Sequence, residues 1–390
     1  MSIKGKAYLM GAFEHPTREA PDKSTPQLHA ECMRGALADA GLGKDDIDGY
    51  FCAGDAPGFG AMSMADYLGL RNLRHMDSTE TGGSSYILHV GHAAEAIAAG
   101  KCSVALVTLA GKPRTAGPGG GGPRGGGFAA APEAAFEMPY GGTTHNQYAM
   151  CATRHMHEYG TTSEQLAWIK VAASHHAQYN EHAFLRDVVT VEDVVNSPMI
   201  ATPLHRLDCC VITDGGGALI VTSPDVARQL KRPRVKIIGA GEAPKGTYGG
   251  KVDLTFSGAA WSGPKAFAEA GVRPSDIKYA SIYDSFTITV LMQIEDLGFC
   301  EKGQGGKFVS DGNLISGVGK LPFNTDGGGL CNNHPTNRGG ITKVIEAVRQ
   351  LRGEAHPKVQ VKNCDLAIAH GTGGSLGTRH GAATVIMERE

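Results

Sequence analysis

The sequence predicts an α/β protein built from two similar halves, the first of which carries a helical insertion. Three observations lead to this class. A pattern of helix, glycine, turn and buried strand occurs twice at a constant offset of 230 residues. The segments read as strands are continuous apolar runs, which suit central strands covered on both faces by helices. A stretch between about residues 130 and 200 has helical spacing and no partner in the second copy. At roughly 150 residues per domain, the 390 residues suggest two or three domains, or one doubled.

Along the chain, Lys6 to Gly11 reads as an apolar strand. Ala36 to Gly41 (ALADAG) ends a helix on glycine, Asp46 and Ile47 form a turn, and Tyr50 and Phe51 begin a buried strand. The second copy runs from Val235 to Gly241, through Ala266 to Gly271 (AFAEAG), Asp276 and Ile277, to Ile282 and Tyr283. A further echo pairs Glu95-Ala96-Ile97 and the strand Cys102 to Leu106 with Glu346-Ala347-Val348 and Cys364 to Ile368. So long a period excludes a solenoid and fits two α/β domains packed face to face. Pro224, Pro233 and Pro244 interrupt the pattern, which puts the halves at 1–230 and 231–390.

The insertion covers about residues 112–200. Its run GPGGGGPRGGG (117–127) holds eight glycines and reads as a mobile loop. Gly142 to Tyr159 reads as a helix with Tyr148, Ala152, His155 and Tyr159 on one face, closed by Gly160. Thr161 and Glu164 read as the capping box of a second helix that ends near Gln178.

Composition narrows the function. With 37 basic and 39 acidic residues and no basic block, nucleic acid is not expected as a partner. No apolar run approaches ~18 residues, so no membrane span is expected, and the N-terminus lacks a signal peptide's apolar core. The nine cysteines are scattered without a CxxC pair, which speaks against a resident zinc ribbon or a disulfide scaffold. A cytoplasmic enzyme is the expectation.

Two duplicated α/β halves with a helical insertion resemble the thiolase superfamily, in particular its lipid-transfer-protein and sterol-carrier-thiolase branch. The segments that carry the resemblance are HMDSTETGGSSY (75–86), LHRLDCCVITDGGGALIV (204–221), IYDSFT (282–287), IEDLGFC (294–300), LPFNTDGGGLCNNHP (321–335), EAVRQLRGE (346–354) and AHGTGG (369–374). It spans essentially the whole chain and implies a thiolase-like fold, its halves packed into a five-layered αβαβα arrangement.

Thiolases use a nucleophilic cysteine, a histidine in a Gly-His-Pro turn and a second, proton-transferring cysteine, because thioester exchange needs a thiolate. Family spacing puts the nucleophile at Gly83, with no cysteine within eighteen residues, and the second cysteine near His370. The turn survives as Asn333-His334-Pro335. Similar cysteine-less members cleave steroid side chains with a tyrosine in a YD-x-F sequence, here Tyr283 before Asp284. These aldolases break the bond between the α and β carbons of a β-hydroxyacyl-CoA, which implies a role here in the catabolism of a sterol, bile-acid or aromatic side chain. The reaction needs a base and enolate donors but no nucleophile.

The resemblance therefore implies Tyr283 as base, His334 as enolate donor and His370 as a third catalytic group. Gly83, Ser84, Ser85, His145, Asp284, Cys331, Asn333, Gly371 and Gly373 are the candidate substrate-binding residues, His145 and Cys331 by their position in the chain. It also implies a second tyrosine near the turn, where this chain reads Cys331-Asn332-Asn333-His334. By residue type alone, Ser84 and Ser85 read as helix caps and His89 and His92 as packing, and no histidine set has metal spacing.

Two other functions compete with the aldolase: an acyl-CoA acyltransferase with Cys331 as displaced nucleophile, and a non-catalytic lipid-transfer or acyl-CoA-binding subunit. The resemblance implies a homodimer with a small OB-fold partner carrying a zinc ribbon, the zinc lying in the partner. Coenzyme A enters as part of the substrate and no permanently bound cofactor is expected. Lys112, Arg114 and Arg124 are candidates for its phosphates.

Overall fold

The computed structural model describes residues 2–53, 56–117, 136, 138–140, 143–246, 252–335 and 339–390. Strands β1 (Ala7–Glu14), β2 (Gly49–Phe51), β3 (His75–Asp77) and β4 (Val104–Gly111) come first. A hairpin of β5 (Met199–Ala201) and β6 (Leu204–His205) stands apart. The remaining strands are β7 (Gly215–Thr222), β8 (Val235–Lys245), β9 (Tyr279–Ile282), β10 (Leu366–Ser375) and β11 (Thr378–Arg389). All but the hairpin join one nine-stranded sheet of order β3-β2-β4-β7-β1-β8-β11-β10-β9.

The sheet reads the same outward from its middle. β1 and β8 pair antiparallel at Ala7↔Ile237, Tyr8↔Lys236 and Leu9↔Val235. From that seam one arm runs β1-β7-β4-β2 and the other β8-β11-β10-β9. In each arm the last of these steps is parallel and the earlier ones antiparallel. A parallel bridge between Ala280 and Phe323 stands where β3 stands in the first arm.

Alternation of side chains along the strands builds the layers. In β4, Ala105, Val107 and Leu109 enter a central core, while Val104 and Leu106 enter an outer one. In β10, Ala367 and Ala369 enter the same central core, while Leu366 and Ile368 enter a third. The helices that build the layers and the site are α1 (Thr25–Ala40), α2 (Ala61–Leu68), α3 (Ser85–Ala98), α4 (Thr144–Tyr159), α5 (Ser163–Ala177), α6 (Ala259–Ala270), α7 (Thr287–Asp296), the single turn α8 (Gly328–Cys331) and α9 (Gly340–Arg352); shorter helices stand at Val191–Val195, Pro224–Gln229 and Gly305–Val309. The central core holds α3 and α9 between the two arms. Helices α1 and α2 cover the first arm, and α4 to α7 cover the second. The result is the five-layered thiolase-like fold.

Some local expectations are corrected. Pro244 does not interrupt the chain, since it lies within β8 paired to Gly381. The capping box of α5 is formed by Thr162 and Gln165, one residue later than expected, because the Thr161 hydroxyl is taken by Nδ1 of His155 at 2.8 Å. Ser84 and Ser85 do not cap α3: the Ser84 hydroxyl turns back to the Thr81 carbonyl, and the Ser85 hydroxyl accepts the Thr81 N–H. Apart from Gly117, the glycine-rich run 117–127 lies outside the described residues. Among the described residues no helix is long and apolar enough to cross a membrane.

Candidate active site

The central helices α3 and α9 begin against each other. A β-carbon on Gly340 would run into the carbonyl oxygen of Gly83, and one on Gly371 would lie 3.2 Å from that same oxygen. Helix N-termini carry partial positive charge and unpaired N–H groups, so two of them meeting favour a bound or developing anion.

Tyr283 enters this point from the end of β9. Its backbone N–H donates to the carbonyl of His370 at 2.9 Å, which continues the parallel pairing of β9 with β10. Its hydroxyl lies 2.9 Å from Nε2 of His334, and both side chains are buried. A β-carbon on Gly83 would collide with the Tyr283 ring and the Thr372 carbonyl. The place implied for a cysteine is therefore filled by tyrosine. Gly339 and Gly329 approach the His334 ring equally closely, each placing a β-carbon 3.1 Å from its Cδ2.

Burial sets the protonation of the pair. It pushes the Tyr283 phenol well above its ordinary value, and nearby Cys210, Tyr148 and Asp284 add to the effect. Burial, with Lys343 assisting and Asp284 opposing, brings His334 down to about 4. The imidazole is thus neutral at pH 7, and one of its nitrogens is free to accept a proton.

The loop that carries His334 is fixed from several sides. Asp284 accepts from the N–H groups of Gly329 and Leu330 at 2.8 and 3.1 Å, and Lys343 pairs with it at 2.7 Å. At the other end of α8, Lys170 donates to the Leu330 carbonyl at 2.7 Å. Thr213 accepts the His334 N–H at 2.9 Å and donates to Asn333 at 2.7 Å. Asn333 continues to Glu14 on β1 at 3.1 Å, while Arg18 holds the carbonyl and side chain of Asn332. Burial works against the Glu14 carboxylate, but Arg18 and Arg349 outweigh it and hold the group down to about 2.

Several predicted site residues are elsewhere or already engaged. His370 does not join the pair. Ala367 and Ala369 face the central layer, so His370, like Ile368, faces outward under α6. Its Nδ1 lies 2.8 Å from the Thr384 hydroxyl, which lies 2.9 Å from Ser262. His334 is not free to point at a thioester oxygen, because its Nε2 is engaged by Tyr283. Asp284 positions the loop with both oxygens. Cys331 lies in the core beneath α5 with Lys170 Nζ 3.2 Å from its sulfur, and burial raises its thiol despite that cation, which leaves it a poor nucleophile.

Gly373 packs its backbone onto Gly82 and Gly83, and the exposed His145 sets its ring edge-on to Phe286 at 5.9 Å. Lys112 and Arg114 hold Lys23 and Glu19, and Arg124 lies outside the described residues. Thr213, Arg18, Glu14 and Lys343 were not singled out in the sequence, since single residues so distant carry no spacing signal. Cys210, half-buried beside Tyr283 and joined to Ser285 by its N–H, was visible in the LDCC segment.

Residues 242–389 match the family described as Thiolase C-terminal domain-like. The chain is 36% identical to a steroid side-chain-cleaving aldolase of Thermomonospora curvata, over 90% of this chain and 91% of that one. It is 34% identical to the 17-hydroxy-3-oxo-4-pregnene-20-carboxyl-CoA lyase of Mycobacterium tuberculosis, over 95% and 97%. Among solved structures, the Ltp2-ChsH2(DUF35) aldolase superposes with a TM-score of 0.87 at 32% identity, covering 100% of this chain and 99% of that one.

Proposed function

Because this chain belongs to the thiolase superfamily, in the branch that includes steroid side-chain-cleaving aldolases, we propose that it cleaves a β-hydroxyacyl-CoA by a retro-aldol reaction. The substrate class is the CoA thioester of a sterol-derived side chain, and the products are a shorter acyl-CoA and a ketone or aldehyde. One observation carries this reading: the Tyr283 hydroxyl sits 2.9 Å from His334 Nε2, and its ring fills the place at Gly83 where a thiolase keeps its nucleophile.

The chemistry follows from the pair. A buried phenol is a poor base alone, because the phenolate would be unsolvated. Tyr283 can take the β-hydroxyl proton while passing its own to neutral His334, so that no free phenolate forms. The electrons of the Cα–Cβ bond move toward the thioester as an enolate, which the N-termini of α3 and α9 stabilise. Gly83, Gly371 and Gly373 let the start of α3, β10 and the Tyr283 ring pack closely at the site, and Asn333 keeps the His334 loop in place. Ser84, Ser85 and His145 belong to the surrounding wall in this reading. The enzyme works in the cytoplasm as a homodimer with a small OB-fold, zinc-ribbon partner, and coenzyme A arrives with the substrate.

The test is turnover of β-hydroxyacyl-CoA and β-ketoacyl-CoA panels, with and without the partner. The β-hydroxyacyl-CoA is expected to be cleaved, and Tyr283→Phe to lower kcat by about 100-fold or more. Thiolysis of β-ketoacyl-CoA that vanishes in Cys331→Ala, with β-hydroxyacyl-CoA untouched, would overturn the proposal in favour of an acyltransferase.

A further inference from the structure

A retro-aldol reaction moves two protons. One leaves the β-hydroxyl, and another must reach the α-carbon of the departing enolate. The Tyr283–His334 pair can receive the first, but it then lies at the β-carbon end of the broken bond. An acid on the α-carbon side would complete the reaction, and Tyr148 is a buried hydroxyl near the pair that the steps above do not use.

Tyr148 comes from α4, in the insertion, and is buried. Its ring lies 4.5 Å from that of Phe286, three residues after Tyr283. Its hydroxyl donates to the Gly374 carbonyl at 3.3 Å, at the end of the strand whose Thr372 carbonyl abuts Gly83. A hydrogen bond of that length to one neutral acceptor is weak, so the proton is readily redirected. Burial raises the phenol, Ser285 beside it partly offsets this, and Tyr148 in turn raises Tyr283. The Tyr148 hydroxyl thus ends against the same stretch of β10 that packs on Gly82 and Gly83, where the Tyr283 ring also lies.

We propose that Tyr148 is the second acid–base group of this site, the proton donor to the α-carbon; this rests on the retro-aldol reading. The β-O–H bond breaks toward Tyr283, whose proton passes to His334, and the oxygen's electrons form the carbonyl. The Cα–Cβ pair becomes the enolate. The Tyr148 O–H bond then breaks and its proton forms the new Cα–H bond. Solvent gives Tyr148 a proton as that bond breaks, so that no buried phenolate persists, and His334 returns its proton to solvent, which closes the cycle with no net charge.

The test uses the full chain with its partner and Tyr148→Phe, which keeps the ring on Phe286. Two quantities are read: kcat and KM for β-hydroxyacyl-CoA cleavage, and the exchange of the product acyl-CoA's α-protons into D2O without ketone present. The expected result is a kcat loss of about 100-fold or more at a KM within about threefold, with exchange lost in parallel. Exchange and kcat within about threefold of wild type, or a rise in KM alone, would assign Tyr148 to packing and overturn the proposal. A wild-type chain that cleaves no β-hydroxyacyl-CoA removes the retro-aldol reading instead. The two failures are therefore distinguishable.

Discussion

Gly83 and Tyr283 compete for one volume, and this decides which chemistry the site can support. The glycine is legible in the sequence as a missing nucleophile, yet only the structure shows that the tyrosine ring has taken its place. Gly83→Ala is therefore expected to displace the Tyr283 ring and destabilise the fold by about 1–3 kcal/mol, read from urea unfolding. Cleavage should fall with it. Gly83→Cys should lose cleavage without gaining thiolysis; thiolase turnover by that variant would show that the ring moves aside freely. Tyr283 and His334 were legible because their segments carry the family resemblance. The outward turn of His370 was not, since it depends on the pairing register of β10, and a slip of one residue would bring it inward. Tyr148 was placed on one face of its helix with Ala152 and His155 from spacing alone, but nothing in the sequence says which wall that face meets.

A single helical turn, α8, delivers the histidine, and buried charges hold both of its ends. Asp284 binds the Gly329 and Leu330 N–H groups and Lys170 the Leu330 carbonyl, in accord with the charges that a helix favours at each terminus. Asp284→Asn should leave Lys343 buried without its counter-charge and cost about 3–5 kcal/mol, measured by chemical denaturation. Lys170→Met keeps the volume and should cost less, about 1–3 kcal/mol, for the unsatisfied Leu330 carbonyl. If Asp284→Asn were no worse than Lys170→Met, the Asp284–Lys343 pair would not be what holds the loop. The longer elements were legible from short-range chemistry. Gly41 and Gly271 close α1 and α6 in left-handed conformations with φ of 74° and 70°, as the repeated Ala-Gly endings imply. The α5 cap was misjudged by one residue because Thr161 has a tertiary partner, and no local rule contains that information.

At the scale of the molecule, five layers enclose polar groups that smaller folds would leave in water. The two-halved α/β class was legible because duplication writes the same grammar twice, and the five layers through the family resemblance. The seam was not: nothing local pairs β1 with β8, or sends Glu14 and Arg18 of the first half to the His334 loop of the second. One consequence is sensitivity to acid. Burial holds His89, His176 and His334 down to about 4, and His370 and His380 to about 3. Unfolded, each titrates near 6.5, so between that value and about 4 the unfolded chain binds more protons than the folded one. Their contribution is complete above pH 6.5 and is lost on acidification, at ~1.4 kcal/mol per pH unit for each histidine. Glu346 acts the other way: burial and Asp326 raise its carboxyl to about 7, so its contribution is lost as pH rises through that value. One such group does not offset five histidines. His92 is raised to about 10 by Asp77 and Glu242, so its contribution is complete below pH 6.5 and is lost as pH rises from there through about 10. The melting temperature should therefore fall steeply from pH 7 to pH 5, where five histidines act together, and decline more gently between pH 7 and 8, where His92 acts alone. Calorimetry across that range decides the matter: a melting temperature that holds or rises at pH 5 would mean that the buried histidines take up protons without the layers opening.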